Sequence, residues 1–255
     1  MAKKGDIKKY FEEVAKEDEN STPTCLKKEG PFTLYDKLGL NEEGVEISSM
    51  VFQYLLLADK IDKIFAVKSS DISSAVLVPL VEIEKIDLDN VIRKIPGRQT
   101  VAVELCNYIK SVPKSEYLKF FKFAYYWAKA NTMIIQEEET EMRIKQKENP
   151  IVVRKISQYV PIEGHVELID FISVVLEMCL KDEYKTEVFE QIFYYLKDVR
   201  KRASMLLDEY MFLIPFLTDH KTIAAVKKVD LDKEEFLSYP CLFTDFIEWI
   251  QSGKK

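Results

Sequence analysis

Glycine, histidine and the motifs of common enzymes are scarce or missing in this chain of 255 residues. It contains 7 glycines and 2 histidines, whereas glycine makes up about 7% of an average protein. So few glycines argue against glycine-rich phosphate-binding loops and against an all-β fold with many tight turns. Neither histidine stands in a spacing typical of a metal site, and no nucleophile elbow, Walker motif or dinucleotide-binding fingerprint occurs. We therefore expect no catalytic residues, no metal and no cofactor.

Long apolar runs and paired cysteines are also missing. No stretch approaches the ~18 consecutive apolar residues of a membrane span, and the residues after Met1 are polar, unlike a secretory signal peptide. The four cysteines lie far apart and form no C-x-x-C pair. Three of them sit within apolar runs, and they are interpreted as reduced core residues of an intracellular protein. No membrane association is expected.

The chain lacks a basic stripe of the kind that binds nucleic acid. Its net charge is −6, and the longest basic run is Arg200-Lys201-Arg202. The sequence therefore predicts no nucleic-acid partner. A mildly acidic balance instead fits protein partners that carry basic patches.

Amphipathic helical periodicity dominates what is there. Apolar residues make up 47% of the chain and recur every three to four residues, which is typical of helices packed on a core. An all-α fold is predicted, with helices over 6–17, 44–65, 88–95, 99–112, 115–131, 165–181, 186–202, 208–220 and 239–251.

Breaks in this periodicity suggest how the chain is divided. Residues 1–30 are predicted to be a flexible N-terminal arm that carries a short amphipathic helix, because a polar stretch broken by Pro23 follows that helix. Residues 31–252 are predicted to form one domain. Within it, the charged segment of about 131–163 lacks an apolar face and is interpreted as an inserted loop or an exposed helix.

A calcium-binding EF-hand is the best-known helical alternative. Its loop needs oxygen ligands at alternating positions, glycine at the sixth and glutamate at the twelfth. Residues 57–71 and 180–187 lack that glycine and interrupt the oxygen ligands with apolar or basic side chains. A calcium site is therefore not expected, although an EF-hand-shaped helix pair without metal remains open.

Four blocks of sequence, spread over about residues 32–250, form a pattern when they are taken in order. They are DKLGL followed by SSMVFQYLL, AVKSSDISSAV leading to DLDNVIRKIP, YLKFFKFAYYWAKAN, and YPCLFTDFIEW. In sequence and in order these blocks resemble the defective-in-cullin-neddylation family, and specifically its potentiating-neddylation domain.

The resemblance implies an all-helical domain built on two EF-hand-like units that bind no calcium. It also implies a scaffold-type co-ligase without an active site of its own. Such a protein binds the C-terminal winged-helix region of a cullin and the acetylated N-terminal methionine of the ubiquitin-like conjugating enzyme. By the same resemblance it is a monomer of the cytoplasm and nucleus.

The resemblance assigns residues to both surfaces. The apolar socket for the acetylated methionine would be lined by Ile47, Met50, Val51, Val67, Trp127 and Met178. The acidic cullin-binding patch would comprise Asp208, Ser238, Tyr239, Thr244 and Asp245. Thr244 replaces the first acid of the family's paired aspartates, and Ser238 replaces a small apolar residue.

Two further interpretations remain open. The altered patch leaves room for a helical adaptor of the same fold that binds other partners. A calcium sensor of the EF-hand type is the alternative from another functional class.

Overall fold

The computed structural model describes residues 1–27, 29–45, 47–57, 82–142, 152–161, 168–233 and 238–253, and it is mostly helical. The helices are α1 (Asp6–Glu17), α2 (Gly30–Leu38), α3 (Ile47–Leu57), α4 (Lys85–Lys94), α5 (Val101–Ser111), α6 (Lys114–Thr132), α7 (Leu168–Cys179), α8 (Glu187–Tyr194), α9 (Leu207–Asp219), α10 (Ile223–Val226) and α11 (Cys241–Gln251). A 3-10 turn spans Asp182–Tyr184, and a π-helical turn, Tyr195–Val199, continues α8. The strands are β1 (Cys25–Leu26), β2 (Ile83–Glu84), β3 (Met133–Met142) and β4 (Val152–Pro161).

The mainly helical prediction is confirmed by these elements. Among the helices of the described ranges, none combines the length and the apolar character that crossing a membrane requires.

Helix α3 lies at the centre of the core. Every residue from Ser48 to Leu57 is buried, and α3 contacts α4, α5, α6 and α7. Its sequence, ISSMVFQYLLL, is apolar around most of the helix, which is the pattern of a helix covered on all sides. The other helices are therefore arranged around α3.

The N-terminal segment packs against this core and does not form the flexible arm that the sequence predicted. Residues 6–17 are helical as expected, and Ile7, Phe11 and Val14 of that helix are buried. They belong to the same hydrophobic cluster as the rest of the core. Burying each of these side chains contributes about 1.5–3 kcal/mol. Residues before 31 are thus part of the domain's core.

Two short strands tie the predicted linker to a distant part of the chain. β1 pairs antiparallel with β2, so that Cys25 faces Glu84 and Leu26 faces Ile83. The backbone N–H of Lys85 extends this pairing by donating to the carbonyl of Thr24 at 2.9 Å. Local sequence gives no sign of this pairing, because its two partners stand almost sixty residues apart.

The charged insertion is a β-hairpin, which corrects the prediction of a loop or an exposed helix. β3 and β4 pair antiparallel over ten residues each, from Met133 opposite Pro161 to Met142 opposite Val152. The register sets the acidic strand against the strand that carries Arg154 and Lys155. β4 is rich in β-branched residues, which favour a strand.

A buried carboxylate organises the turn that leads into α5. Glu104 accepts hydrogen bonds from the backbone N–H groups of Gly97 (2.7 Å), Gln99 (2.8 Å) and Arg98. Gly97 has φ +87°, a conformation in which glycine is strongly favoured. Burial raises the pKa of the Glu104 carboxyl, but the hydrogen bonds from the three amides outweigh burial and lower it overall.

We predict that Glu104→Gln lowers the free energy of unfolding by about 1–3 kcal/mol at neutral pH, because one of the two acceptor oxygens becomes an NH2 donor and the charge that strengthens the hydrogen bonds is lost. The folded pKa lies below the unfolded value of about 4.3. The contribution of the carboxylate is therefore complete above that value and is lost as the pH falls through the folded pKa.

Urea unfolding of wild type and variant at several pH values measures this effect, with the exposed Glu43→Gln as control. The difference between wild type and Glu104→Gln should shrink on acidification. A difference that stays constant from pH 7 to about pH 3 contradicts the prediction.

Candidate functional site

The residues assigned to the methionine socket on α3 are deeply placed. Met50 and Val51 have no exposed surface, whereas Ile47, at the start of α3, is half-buried. Val67 lies outside the described residues. Met50 and Val51 therefore lie inside the core, and Ile47 is the one of these three residues that reaches the surface.

Trp127 connects α6 to both α3 and α7. Its indole Nε1–H donates to Oε1 of the buried Gln53 at 3.0 Å, and its ring stacks on Phe171 with centroids 5.7 Å apart. Trp127 is itself half-buried. The hydrogen bond fixes the indole, so one side of the ring is held against the core while the rest remains near the surface.

Met178 lines a different part of the surface from α3. This half-buried residue lies on the wall of a cleft of about 440 Å³ between α5, α7 and the 3-10 turn. Ile109 and Leu180 give the cleft an apolar side, and Lys110 and Lys181 stand at it as well. The ammonium of Lys181 lies 4.7 Å from the ring centre of Tyr117. The structure therefore distributes the predicted socket residues between α3, Trp127 and this cleft.

The predicted cullin-binding residues come from two segments that contact each other. The ring of Phe212 on α9 lies 4.6 Å from that of Tyr239 and 5.0 Å from that of Phe243 on α11. Asp208 is exposed and precedes Phe212 by one helical turn. Residues about thirty positions apart are thus brought to one face of the molecule, which we call the α9–α11 face.

An ion pair between the half-buried Arg202 and the buried Glu209 holds the beginning of α9 in place. The guanidinium of Arg202 donates to both carboxylate oxygens of Glu209, at 2.8 and 3.0 Å. Glu209 also accepts from the backbone N–H of Leu206 at 2.8 Å. Just before Leu206, the carbonyl of Met205 accepts a hydrogen bond from the hydroxyl of Tyr125 on α6 at 2.9 Å. Asp208 is therefore presented from a rigid helix terminus, where the helix dipole favours a negative charge.

The carboxylate of Asp245 is already engaged. Arg200 pairs with it at 3.0 Å, and the hydroxyl of Thr244 donates back to the carbonyl of Cys241 at 2.9 Å. No ion pair joins Asp208 to another residue of the described ranges. Asp208 is accordingly the carboxylate of the predicted patch that is available to a basic partner.

Sequence reasoning missed three contributors to this site. Glu209 lies three residues after the N-cap, but Leu206 stands where serine or threonine would complete a recognisable capping box. Leu206 is 56% exposed and adds an apolar side chain beside Asp208. Gln53 carries no sequence signal, because its importance comes from a contact with a residue 74 positions away.

Within the described ranges, no group of three or more His, Cys, Asp or Glu side chains could hold a metal ion. The candidate loop at 180–187 contains the 3-10 turn and an ion pair of 3.6 Å between Lys185 and Asp182. All but the first residue of the other candidate loop, 57–71, lie outside the described residues.

Comparison of this chain with protein-family models, with curated proteins and with solved structures finds no match.

Lys201, in the turn before α9, adopts the left-handed backbone conformation, with φ 48°. Its two neighbours form backbone hydrogen bonds. The N–H of Arg200 donates to the carbonyl of Tyr195 at 2.8 Å, and the N–H of Arg202 donates to the carbonyl of Leu196 at 2.9 Å. Glycine is the usual residue at such a helix end.

We predict that Lys201→Gly raises the free energy of unfolding by about 0.5–1 kcal/mol, because glycine adopts this conformation without a steric cost. Lys201→Ala removes the same side chain but keeps Cβ, and it should give no gain. Chemical denaturation of the two variants measures the effect. Equal stabilisation by both substitutions would show that the lysine side chain, and not its backbone conformation, is responsible.

Proposed function

We propose that this protein is a non-catalytic co-ligase for cullin neddylation. It would hold the C-terminal winged-helix region of a cullin and the acetylated N-terminus of the ubiquitin-like conjugating enzyme at the same time. The observation that carries the proposal is the α9–α11 face, where residues that the family resemblance assigns to one binding surface lie together in space. Phe212, one helical turn after Asp208 on α9, contacts the ring of Tyr239 there.

The arrangement of α1 and α2 supports the EF-hand-like units that the resemblance implies. Twelve residues, 18–29, separate the end of α1 from the start of α2, which is the length of an EF-hand loop. Asp18, Asn20 and Thr22 occupy its first, third and fifth positions, and Glu29 its twelfth. The pairing of β1 with β2 connects this loop to the segment that precedes α4.

The same loop has features that disfavour calcium. Pro23 occupies the sixth position, where EF-hands need glycine for a sharp turn. The carboxylate of Asp18 already accepts hydrogen bonds from the backbone N–H of Asn20 at 3.0 Å and from the hydroxyl of Ser21. We therefore include the absence of calcium in the proposal.

In the proposed mechanism the protein contributes position and no covalent step. Two weak contacts made by one rigid molecule turn the encounter of conjugating enzyme and cullin into a nearly intramolecular event. Holding the thioester and the acceptor lysine in a reactive orientation accelerates transfer without any catalytic group on the scaffold. Rigidity is therefore the property that the mechanism needs from this chain.

On the cullin side, Asp208 would meet a lysine or arginine of the winged-helix region. Asp245 is neutralised by Arg200, and Thr244 carries no charge, so recognition would depend more on the apolar and aromatic rim of Leu206, Phe212 and Tyr239. Those three side chains are exposed or half-buried. In protein interfaces, apolar and aromatic side chains around a charged group exclude water from it and so strengthen its pairing with the partner.

For the conjugating enzyme, the acetylated methionine would enter the cleft beside Met178. The thioether of Met178 and the apolar side chains of Ile109 and Leu180 offer an apolar lining for such a side chain. Acetylation removes the N-terminal charge, which would otherwise be costly to bury in an apolar socket.

We predict that a peptide with an acetylated N-terminal methionine, copied from the conjugating enzyme, binds with a dissociation constant on the order of micromolar. Its unacetylated twin should bind at least about tenfold more weakly, because its ammonium group would be desolvated. Met178→Asp should abolish binding of the acetylated peptide. Fluorescence anisotropy measures all three affinities.

Ile86→Asp is the matched control for this experiment. Ile86 is 73% exposed on α4, so a new carboxylate there should leave peptide binding unchanged. Equal affinity for acetylated and unacetylated peptides, or full binding by Met178→Asp, would contradict the proposed socket.

We predict that Asp208→Arg weakens binding of the cullin winged-helix region by about tenfold or more, because it opposes like charges at the rim. Asp219→Arg makes the same change of charge at the far end of α9 and should have little effect. Titration calorimetry compares the two variants. If both bind the cullin as tightly as wild type, the α9–α11 face serves a different partner and the protein is a helical adaptor.

A further inference from the structure

A second exposed surface lies where α8 and its π-helical extension meet the end of α11. Tyr194 is 46% exposed, and its ring lies 6.1 Å from that of the half-buried Trp249. Val199, at the end of the π-helical turn, is 39% exposed. Exposed tyrosine and tryptophan side chains are characteristic of binding hot spots. We call this surface the Tyr194–Trp249 patch.

The tryptophan of this patch is held rigidly. Its ring contacts the buried rings of Tyr195 at 5.2 Å and Phe246 at 6.1 Å. Tyr195 and Phe246 also contact each other at 5.8 Å. Trp249 is therefore supported by the core on one side while the rest of its ring stays near the surface, which leaves a preorganised aromatic face for a ligand.

Two carboxylates accompany these rings. Asp198 and Glu248 are exposed and adjoin Val199 and Trp249 in sequence, and neither forms an ion pair with another described residue. Burial raises the pKa of the Tyr195 hydroxyl, Arg200 opposes this rise, and Asp245 and Glu248 add to it.

Two cations near the patch are already paired. Lys197 binds Asp170 at 2.6 Å, and Arg200 binds Asp245 at 3.0 Å. Asp198 and Glu248 have no such ion pair among the described residues. The surface therefore keeps two carboxylates without an ion-pair partner beside an aromatic centre.

We propose that the Tyr194–Trp249 patch is a docking site for a short arginine-bearing segment of a partner protein. A guanidinium stacks on the face of tryptophan or tyrosine and donates to carboxylates in the same plane. Lysine lacks this planar geometry, so the patch discriminates between the two cations. None of the residues that define the patch was assigned to the cullin or the conjugating enzyme, so the inference stands independently of the proposed co-ligase function.

The test uses a hexa-arginine peptide as probe and Trp249 fluorescence as signal. The chain has two tryptophans, so Trp127→Phe in the full-length protein leaves Trp249 as the only one, while the phenyl ring can still stack on Phe171. We expect saturable changes in fluorescence with hexa-arginine and several-fold weaker binding of hexa-lysine. Far-UV circular dichroism checks that each variant is folded.

Three variants in that background decide the outcome. Tyr194→Ser and Glu248→Gln should each weaken hexa-arginine binding by about threefold to tenfold. The double variant Glu19→Gln, Glu43→Gln removes two exposed carboxylates elsewhere and should leave the affinity unchanged. No binding, equal binding of hexa-lysine, or equal losses in all variants would overturn the proposal, since the last result would reflect net charge alone.

Discussion

The packing of α3 is the constraint on which the rest of the structure depends. Because α3 is buried on all sides, each of its polar groups needs a partner inside the protein. Ser48 donates to the carbonyl of Leu40 at 2.9 Å, and the hydroxyl of Tyr54 donates to Glu116 at 2.6 Å. Asn90 caps the other end by donating to the carbonyl of Leu55 at 2.5 Å. These bonds fix the positions of the surrounding helices relative to α3.

The packing of helices around α3 determines where the side chains of the candidate site lie. Gln53 orients Trp127, and the helices that pack around α3 place Met178 at a cleft on one side. The turn before α9, held by Arg202 and Glu209, presents Asp208. A scaffold that acts by orientation needs such fixed surfaces, because every loose side chain reduces the effective concentration that it creates. The function that we propose requires the rigidity of such a core.

Elements with a strong amphipathic pattern were predictable from the sequence. Helices α5, α6, α9 and α11 lie where periodicity predicted them, within two residues at each end. Two segments were misread because their own patterns do not show what they pair with. Helix α1 packs on the common core, and β3 pairs with a strand that begins ten residues after β3 ends. Short-range patterns report local periodicity and carry no information about such pairings.

The candidate site shows the same division. Asp208 could be chosen from sequence because its neighbourhood resembles that of a known family. The engagement of Asp245 by Arg200 could not be foreseen, since the two residues lie on different elements and no local pattern links them. Ring contacts among Phe212, Tyr239 and Phe243 were equally hidden, although each aromatic residue was visible. Ion pairs between different elements decide which charged side chains are left to bind a partner, and these pairs are known only once the fold is known.

The central claim is that this protein accelerates transfer by holding two partners together. The most direct test is single-turnover transfer of the modifier from the charged conjugating enzyme to a cullin, with and without this protein, at partner concentrations below their dissociation constants. We predict a faster transfer that rises and then falls as the scaffold concentration increases, because excess scaffold binds each partner separately. An unchanged transfer rate at every scaffold concentration would contradict the claim.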